Sequence, residues 1–271
     1  MPIKNQSKII QRLKVDSEYY GSYGKKFISN SDIETLFYRP QEYGIVKDDN
    51  ENFARGRLLH QLILEPIKAE NFLIADFIRR DAKYKAFCEE NNVKFALKTN
   101  EANEVKELAK WFMDKDNPKT KIIQDWIRDF DAQYEVPMVK EMHGGLKFKG
   151  KADLITTAII DKTEAKVIID LKTSGDVFKF MNNAPYYFYD SQAYIYQELY
   201  SLPMVFVVMG KVKKYCKKSK KNYYDVGVFS CSDQFIAGGK LKVEKAVQEY
   251  NKYHGKNSTE DIEALIITGI L

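Results

Sequence analysis

The residues of this chain with the most chemistry to offer lie in two short segments, Lys151-Ala152-Asp153 and Asp170-Leu171-Lys172. On a β-strand, residues i and i+2 share a face, so Asp170 and Lys172 project together while Leu171 points the other way. An antiparallel hairpin turning at Asp161-Lys162 places Asp153 opposite Asp170 and Ile155 opposite Ile168. Two carboxylates side by side repel one another unless a cation sits between them. Hard oxygen ligands of this kind suit Mg2+ or Mn2+, with water and a substrate phosphate completing the shell. The competing reading is a surface ion pair between Asp170 and Lys172, which for an arbitrary D-x-K tripeptide is the commoner outcome. Position argues against it, because Asp170 closes the apolar run Val167-Ile168-Ile169 and a buried acid requires a partner or a metal.

Other candidates are weaker on their own. His60 follows Gly56 by one helical turn, so both lie on one face, and the glycine leaves room for the imidazole to reach a neighbouring backbone or a metal. A satisfied core histidine is the alternative. Gln192 and Tyr196 share a helix face at i, i+4, which equally describes a helix packed half-buried on a sheet. Glu135, in Tyr134-Glu135-Val136-Pro137, stands on a segment that Pro137 restricts to a sheet edge or a bulge. Seven lysines and no acid fall between Lys211 and Lys221, among them Lys213, Lys214, Lys217 and Lys218. That run is either a solvated loop or a phosphate-contacting segment.

The elements that must position these residues can be read from the hydrophobic pattern. Ser29 to Asp32 caps a short helix that stops near Arg39-Pro40. Phe53 to Leu64 places Leu58, Leu59, Leu62 and Ile63 at helical spacing, and 68–91 and 99–115 read as charged amphipathic helices. Near residue 130 the pattern changes. Leu146 to Leu154 alternates with a period of two, Val167–Leu171 is apolar enough for a central strand, and Val205–Met209 is a buried one. Residues 185–201 read as a helix with Pro185 near its start, 222–230 as a strand and 233–253 as a closing helix. The sum is an α/β core with a helical N-terminal layer. It is expected to form one domain over 1–271, with a mainly helical part (1–125), an αβ core carrying the acids (126–215) and a C-terminal strand and helix (216–271).

Composition narrows the function classes. The chain has 271 residues, 44% hydrophobic and 30% charged, which fits a soluble globular protein. The net charge of +5 comes largely from the Lys211–Lys221 window. No apolar run reaches the roughly 18 residues of a membrane span, and residues 1–8 lack the apolar stretch of a signal peptide, so a cytoplasmic protein is expected. Three widely spaced cysteines support neither a disulfide framework nor a four-cysteine iron–sulfur cluster. Gly145 to Lys151 nearly spells a phosphate-binding loop. However, Ala152 replaces the required Ser/Thr, and the segment alternates like a strand instead of turning into a helix.

Asp153 followed by Asp170-Leu171-Lys172 resembles the signature of the PD-(D/E)XK nuclease superfamily. Four stretches in order resemble its RecE (exonuclease VIII)-like branch, related to RecB-type nucleases and lambda exonuclease. They are Ile28–Ser31 through Arg39-Pro40 to Tyr43, Gly56 through His60 to Glu65-Pro66, Lys149–Asp153 with Asp170–Ser174, and Asp190 through Gln192 to Tyr196. Together they span about residues 28–210. The resemblance implies a restriction-endonuclease-like core, a mixed central β-sheet flanked by helices. It implies a Mg2+-dependent (or Mn2+-dependent) exodeoxyribonuclease that degrades double-stranded DNA from its ends, 5′→3′, in phage-type recombination. Asp153, Asp170, the carbonyl of Leu171 and His60 would hold the metal, with Glu135 as a further acid. Lys172 would orient the attacking water, and Gln192 and Tyr196 would contact the DNA backbone. The partners implied are DNA ends, a RecT-like single-strand annealing protein and copies of the chain itself in a ring of three or four. In such a ring Lys211, Lys213, Lys214, Lys217 and Lys218 would face the duplex. A structure-specific or restriction-like endonuclease is the alternative within the superfamily. A catalytically silent DNA-binding recombination accessory module is disfavoured because both acids and the lysine are present.

Overall fold

The capping and stop signals of the first 130 residues are realised as a series of helices. In a computed structural model describing residues 5–45, 48–160, 162–256 and 258–265, these are α1 (Gln6–Leu13), α2 (Asp16–Tyr20), α3 (Asn30–Tyr38), α4 (Glu51–Leu64), α5 (Pro66–Ala69), α6 (Ala82–Glu90), α7 (Thr99–Phe112) and α8 (Lys121–Ile127). Ser29 and Asp32 form a capping box for α3, and Asn50 caps α4 by accepting from the Phe53 N–H at 3.1 Å. Residues 68–91, expected to be helical, are so only at their two ends. Between α5 and α6 the chain instead runs alongside residue 97, with the Ala75 N–H donating to the Leu97 carbonyl at 2.8 Å. Asp76 there accepts the Thr99 N–H at 2.8 Å, capping α7 from outside. An N–H that donates to Leu97 cannot also close a helical bond to residue 71, so the helix is interrupted here.

The strands follow as β1 (Gln133–Met142), β2 (Leu146–Ile160), β3 (Thr163–Ser174), β4 (Met204–Gly210), β5 (Lys214–Cys216), β6 (Lys221–Tyr223) and β7 (Val226–Ser230). Between them lie α9 (Phe180–Asn183) and α10 (Tyr189–Tyr200), and α11 (Asp233–Tyr253) closes the chain. The main sheet has the order β1-β2-β3-β4-β7. Only β3 and β4 are parallel, joined by the α10 crossover; the other neighbours are antiparallel. The sheet is therefore mixed. Pro137 lies on β1, at the sheet edge, as a residue without an N–H requires. The helix expected from 185 begins only at Tyr189, because Phe188 before it adopts a left-handed φ of 58°. The lysine-rich window is not one loop: β5 and β6 pair as a small separate hairpin.

Alternation along the strands divides the core into two layers. On one face Ile168, Phe206 and Val208 pack with α3, α10 and α11 through Ile33, Leu36, Ile195, Val243 and Ala246. On the other, Ile169, Leu171, Val205 and Val207 pack with α4, α7 and α8 through Leu58, Leu59, Leu108, Phe112 and Ile123. One break in this order matters most. The β2–β3 ladder has the expected register, with Ile155 facing Ile168, and it ends at Leu154–Ile169. Before that point β2 pairs only with β1, and beyond it β3 pairs only with β4. The two central strands fork, and Asp153 and Asp170 are the next residues past the last pair. Asp161, the first residue of the expected turn, lies outside the described residues.

Candidate active site

The fork leaves backbone groups of β3 without ladder partners, and side chains take their place. Asp153 Oδ2 accepts the Leu171 N–H at 2.9 Å, and His60 Nε2 on α4 donates to the Leu171 carbonyl at 2.8 Å. This assignment leaves the Nδ1 lone pair facing Asp153 Oδ2 at 3.4 Å. Such a contact is repulsive unless the ring is protonated or a cation joins the two. On the other side of Asp153 stands Glu135, in the one β1–β2 position without a ladder pair between Tyr134–Leu154 and Val136–Ala152. Its φ of 48° is left-handed, costly for a residue with a Cβ and unexpected inside a strand.

His60, Glu135 and Asp153 each bring a ligand atom to within 4.8 Å of the others. Burial, with the Asp153 charge added, pushes the Glu135 carboxyl up to about 7. Burial, with the Asp170 charge added, pushes Asp153 up to about 6 against the pull of His60. Two half-buried acids side by side are an arrangement a cation relieves. Two hard carboxylates and one imidazole fit Mg2+ or Mn2+ better than a soft metal, and among the described residues no cysteine joins them. Asp170, expected as a metal ligand, lies outside this group of three but close enough to act on the Asp153 carboxyl. Its Oδ1 accepts from Gln192 Nε2, and its Oδ2 has the Lys172 ammonium at 2.5 Å. Leu171, also expected to ligate through its carbonyl, has that oxygen engaged by His60. Burial works against the charged form of Lys172, but Asp170, with Tyr189 and Asp153 added, together hold the ammonium above the usual lysine range.

The helix α10 fixes this geometry. Gln192, Tyr196 and Tyr200 recur every fourth residue along one face. Gln192 holds Asp170. The Tyr196 hydroxyl donates to the Lys151 carbonyl at 3.0 Å and accepts its N–H at 3.3 Å, and the Tyr200 hydroxyl joins the Val136 carbonyl (2.6 Å) to the Ala152 N–H (3.0 Å). Gly150 permits the close approach, since a Cβ there would lie 3.1 Å from the Tyr196 ring. Gln192 and Tyr196, expected to contact the DNA backbone, are both buried, with Gln192 Nε2 donating to Asp170 and the Tyr196 hydroxyl bound to the Lys151 backbone. Tyr200 was missed, although the i, i+4 spacing continued to it. Asp16 on α2 was also missed: it pairs at 2.5 Å with the buried Lys151, which in turn lies 3.6 Å from Glu135. Nothing local in the sequence joins residues so far apart.

The lysine cluster is divided by the structure. Lys211 donates to Asn52 at 3.0 Å, Lys213 pairs with Glu107 and Lys214 with Asp225, so these three anchor the β5–β6 hairpin. Lys217 and Lys218, at its tip, are exposed. The base of the hairpin adjoins the site-bearing strand, since the Lys211 N–H donates to the Ser174 carbonyl at 2.8 Å.

A forked mixed sheet with facing acids at the fork and a D-x-K on the next strand defines a PD-(D/E)XK nuclease-like protein. The sequence pattern of the family described as "PDDEXK-like domain of unknown function (DUF3799)" matches residues 25–262, and the chain belongs to that family. No curated protein sequence matches it. Among solved structures, the chain resembles a protein from Eubacterium rectale named "Putative exonuclease", with a TM-score of 0.51 at 15% identity over 95% of both chains. At that identity the likeness is one of fold. Among the described residues, no helix is long and apolar enough to cross a membrane.

Proposed function

We propose that this chain is a Mg2+-dependent exodeoxyribonuclease that hydrolyses phosphodiester bonds from the ends of double-stranded DNA. The observation that carries this reading is the fork, where His60, Glu135 and Asp153 converge beside the Asp170–Lys172 pair. When bound, the metal would supply Lewis-acid activation of water and neutralise charge on the scissile phosphate. The protein's own part is positional and electrostatic. Lys172 is kept charged by Asp170 and aimed from the same face. It therefore holds an attacking water, or meets the negative charge that grows on the phosphoryl oxygens. Gln192 fixes the Asp170 rotamer, and the Leu171 N–H fixes that of Asp153, so neither acid has to reorganise as charge develops.

Action at ends in the 5′→3′ direction, a setting in phage-type recombination beside a RecT-like annealing protein, and assembly into a ring all rest on the RecE-like motifs. The name of the Eubacterium rectale protein agrees with exonuclease over endonuclease. One assay tests the reading. With Mg2+, linear duplex should be degraded progressively while a covalently closed circle survives, and EDTA should stop the reaction. Nicking of the circle at a comparable rate would make the protein an endonuclease. Inertness toward every DNA form would leave a silent binding module.

A further inference from the structure

The connection from β3 to α10 leaves the site immediately after Lys172, and it carries large side chains in water. Tyr186 is 77% exposed, Tyr187 57% and Phe178 75%. Rings so exposed on a soluble protein mark a surface that something covers. The tyrosines are continuous with the chemistry. The Lys172 ammonium lies 4.9 Å from the centroid of the Tyr189 ring, Tyr189 lies 5.9 Å from Tyr187, and Tyr187 lies 5.4 Å from Tyr186. A row of rings thus runs from the catalytic ammonium out to solvent. Cations flank it: Lys179 is on the same connection, and Lys214 of the β5–β6 hairpin lies 5.7 Å over the Phe178 ring.

We propose that Tyr186 and Tyr187 form a stacking platform for the nucleobases of a single DNA strand, so that the strand reaching Lys172 is already unpaired. The proposal rests on the nuclease reading above and names the form of substrate that its site accepts. A phosphate held at Lys172 brings its neighbouring nucleotides against this row. Aromatic faces accept any base without sequence preference, and the exposed Lys179 on the same connection is placed to meet a phosphate. The hydroxyl-ended rings tolerate water when no strand is present.

The test uses the full chain and a single-stranded oligonucleotide containing 2-aminopurine, whose fluorescence is quenched by stacking, with Ca2+ present to hold off cleavage. Because both rings are exposed, Tyr186→Ala with Tyr187→Ala should fold as the parent does. The double variant should bind the oligonucleotide about tenfold or more weakly and lose the quenching, and a Tyr187→Trp protein should keep both. An abasic strand of the same length should bind parent and double variant alike. In Mg2+, the double variant should show a raised KM on DNA with a 3′ or 5′ overhang and a near-parental kcat. Unchanged binding in the double variant, or an equal loss on the abasic strand, would overturn the platform. A parent that cleaves no DNA in Mg2+ or Mn2+ would overturn the nuclease reading instead, while the fluorescence comparison would still decide the platform.

Discussion

At the scale of single residues, the site separates two kinds of acid. Asp153 belongs to the group of His60 and Glu135 that fits a cation, whereas Asp170 belongs to Lys172. Replacing Asp153 by Asn should remove metal binding and cleavage together, by a factor of roughly 10³ or more, read by Mn2+ titration and by turnover. Lys172→Ala should lower kcat by about 10²–10³ with little change in KM or in metal affinity, because its contribution is made in the transition state. A second lysine carries a pH signature. Lys149 is buried, its Nζ donates to the Tyr19 carbonyl at 2.5 Å, and burial lowers its amine to about 8. An unfolded chain would hold that proton up to the usual lysine range. Between about pH 8 and 10 the unfolded state therefore binds more protons, and stability rises with pH. Compared with Lys149→Met, the parent should gain on the order of 2–3 kcal/mol from pH 7 to 10, measured by urea unfolding at each pH.

At the scale of elements, α10 is a clamp that holds a split sheet together at its narrowest point. Tyr196→Phe removes a hydroxyl that serves both backbone groups of Lys151. It should cost about 1–3 kcal/mol in thermal or urea unfolding and leave DNA affinity unchanged. A selective loss of DNA affinity would return Tyr196 to the interface. Much of this architecture was legible in advance. The strand alternation fixed the register that faces Ile155 with Ile168, and the capping signals fixed α3 and α4, because both depend on neighbours close in sequence. Asp153, Asp170 and Lys172 could be named through motif spacing, and His60 only through the family resemblance. What was not legible depends on contacts far along the chain. The backbone pairing of Ala75 with Leu97 breaks a helical pattern, and three of the cluster's lysines find partners outside their hairpin. The buried face of α10 uses the residues that a sequence reader would send toward DNA.

At the scale of the whole molecule, the positive charge that stands out in the sequence is divided, three of its seven lysines being engaged within the fold. Lys211, Lys213 and Lys214 fasten a hairpin, and only its tip is free to meet phosphate. Changing Lys217, Lys218, Lys220 and Lys221 to Gln should flatten the salt dependence of DNA binding by roughly 0.9 per lost phosphate contact. The same substitutions at Lys213 and Lys214 should loosen the hairpin instead, visible as faster amide exchange across β5 and β6. The left-handed backbone of Glu135 has a consequence for the stability of the metal-free protein. A glycine there would relax the backbone and remove an acid that burial disfavours, so Glu135→Gly should raise the melting temperature of the metal-free protein by a few degrees while activity falls. Stability and activity pull this position in opposite directions. In the proposed reading, the strained backbone at Glu135 is what keeps a carboxylate beside Asp153 and His60.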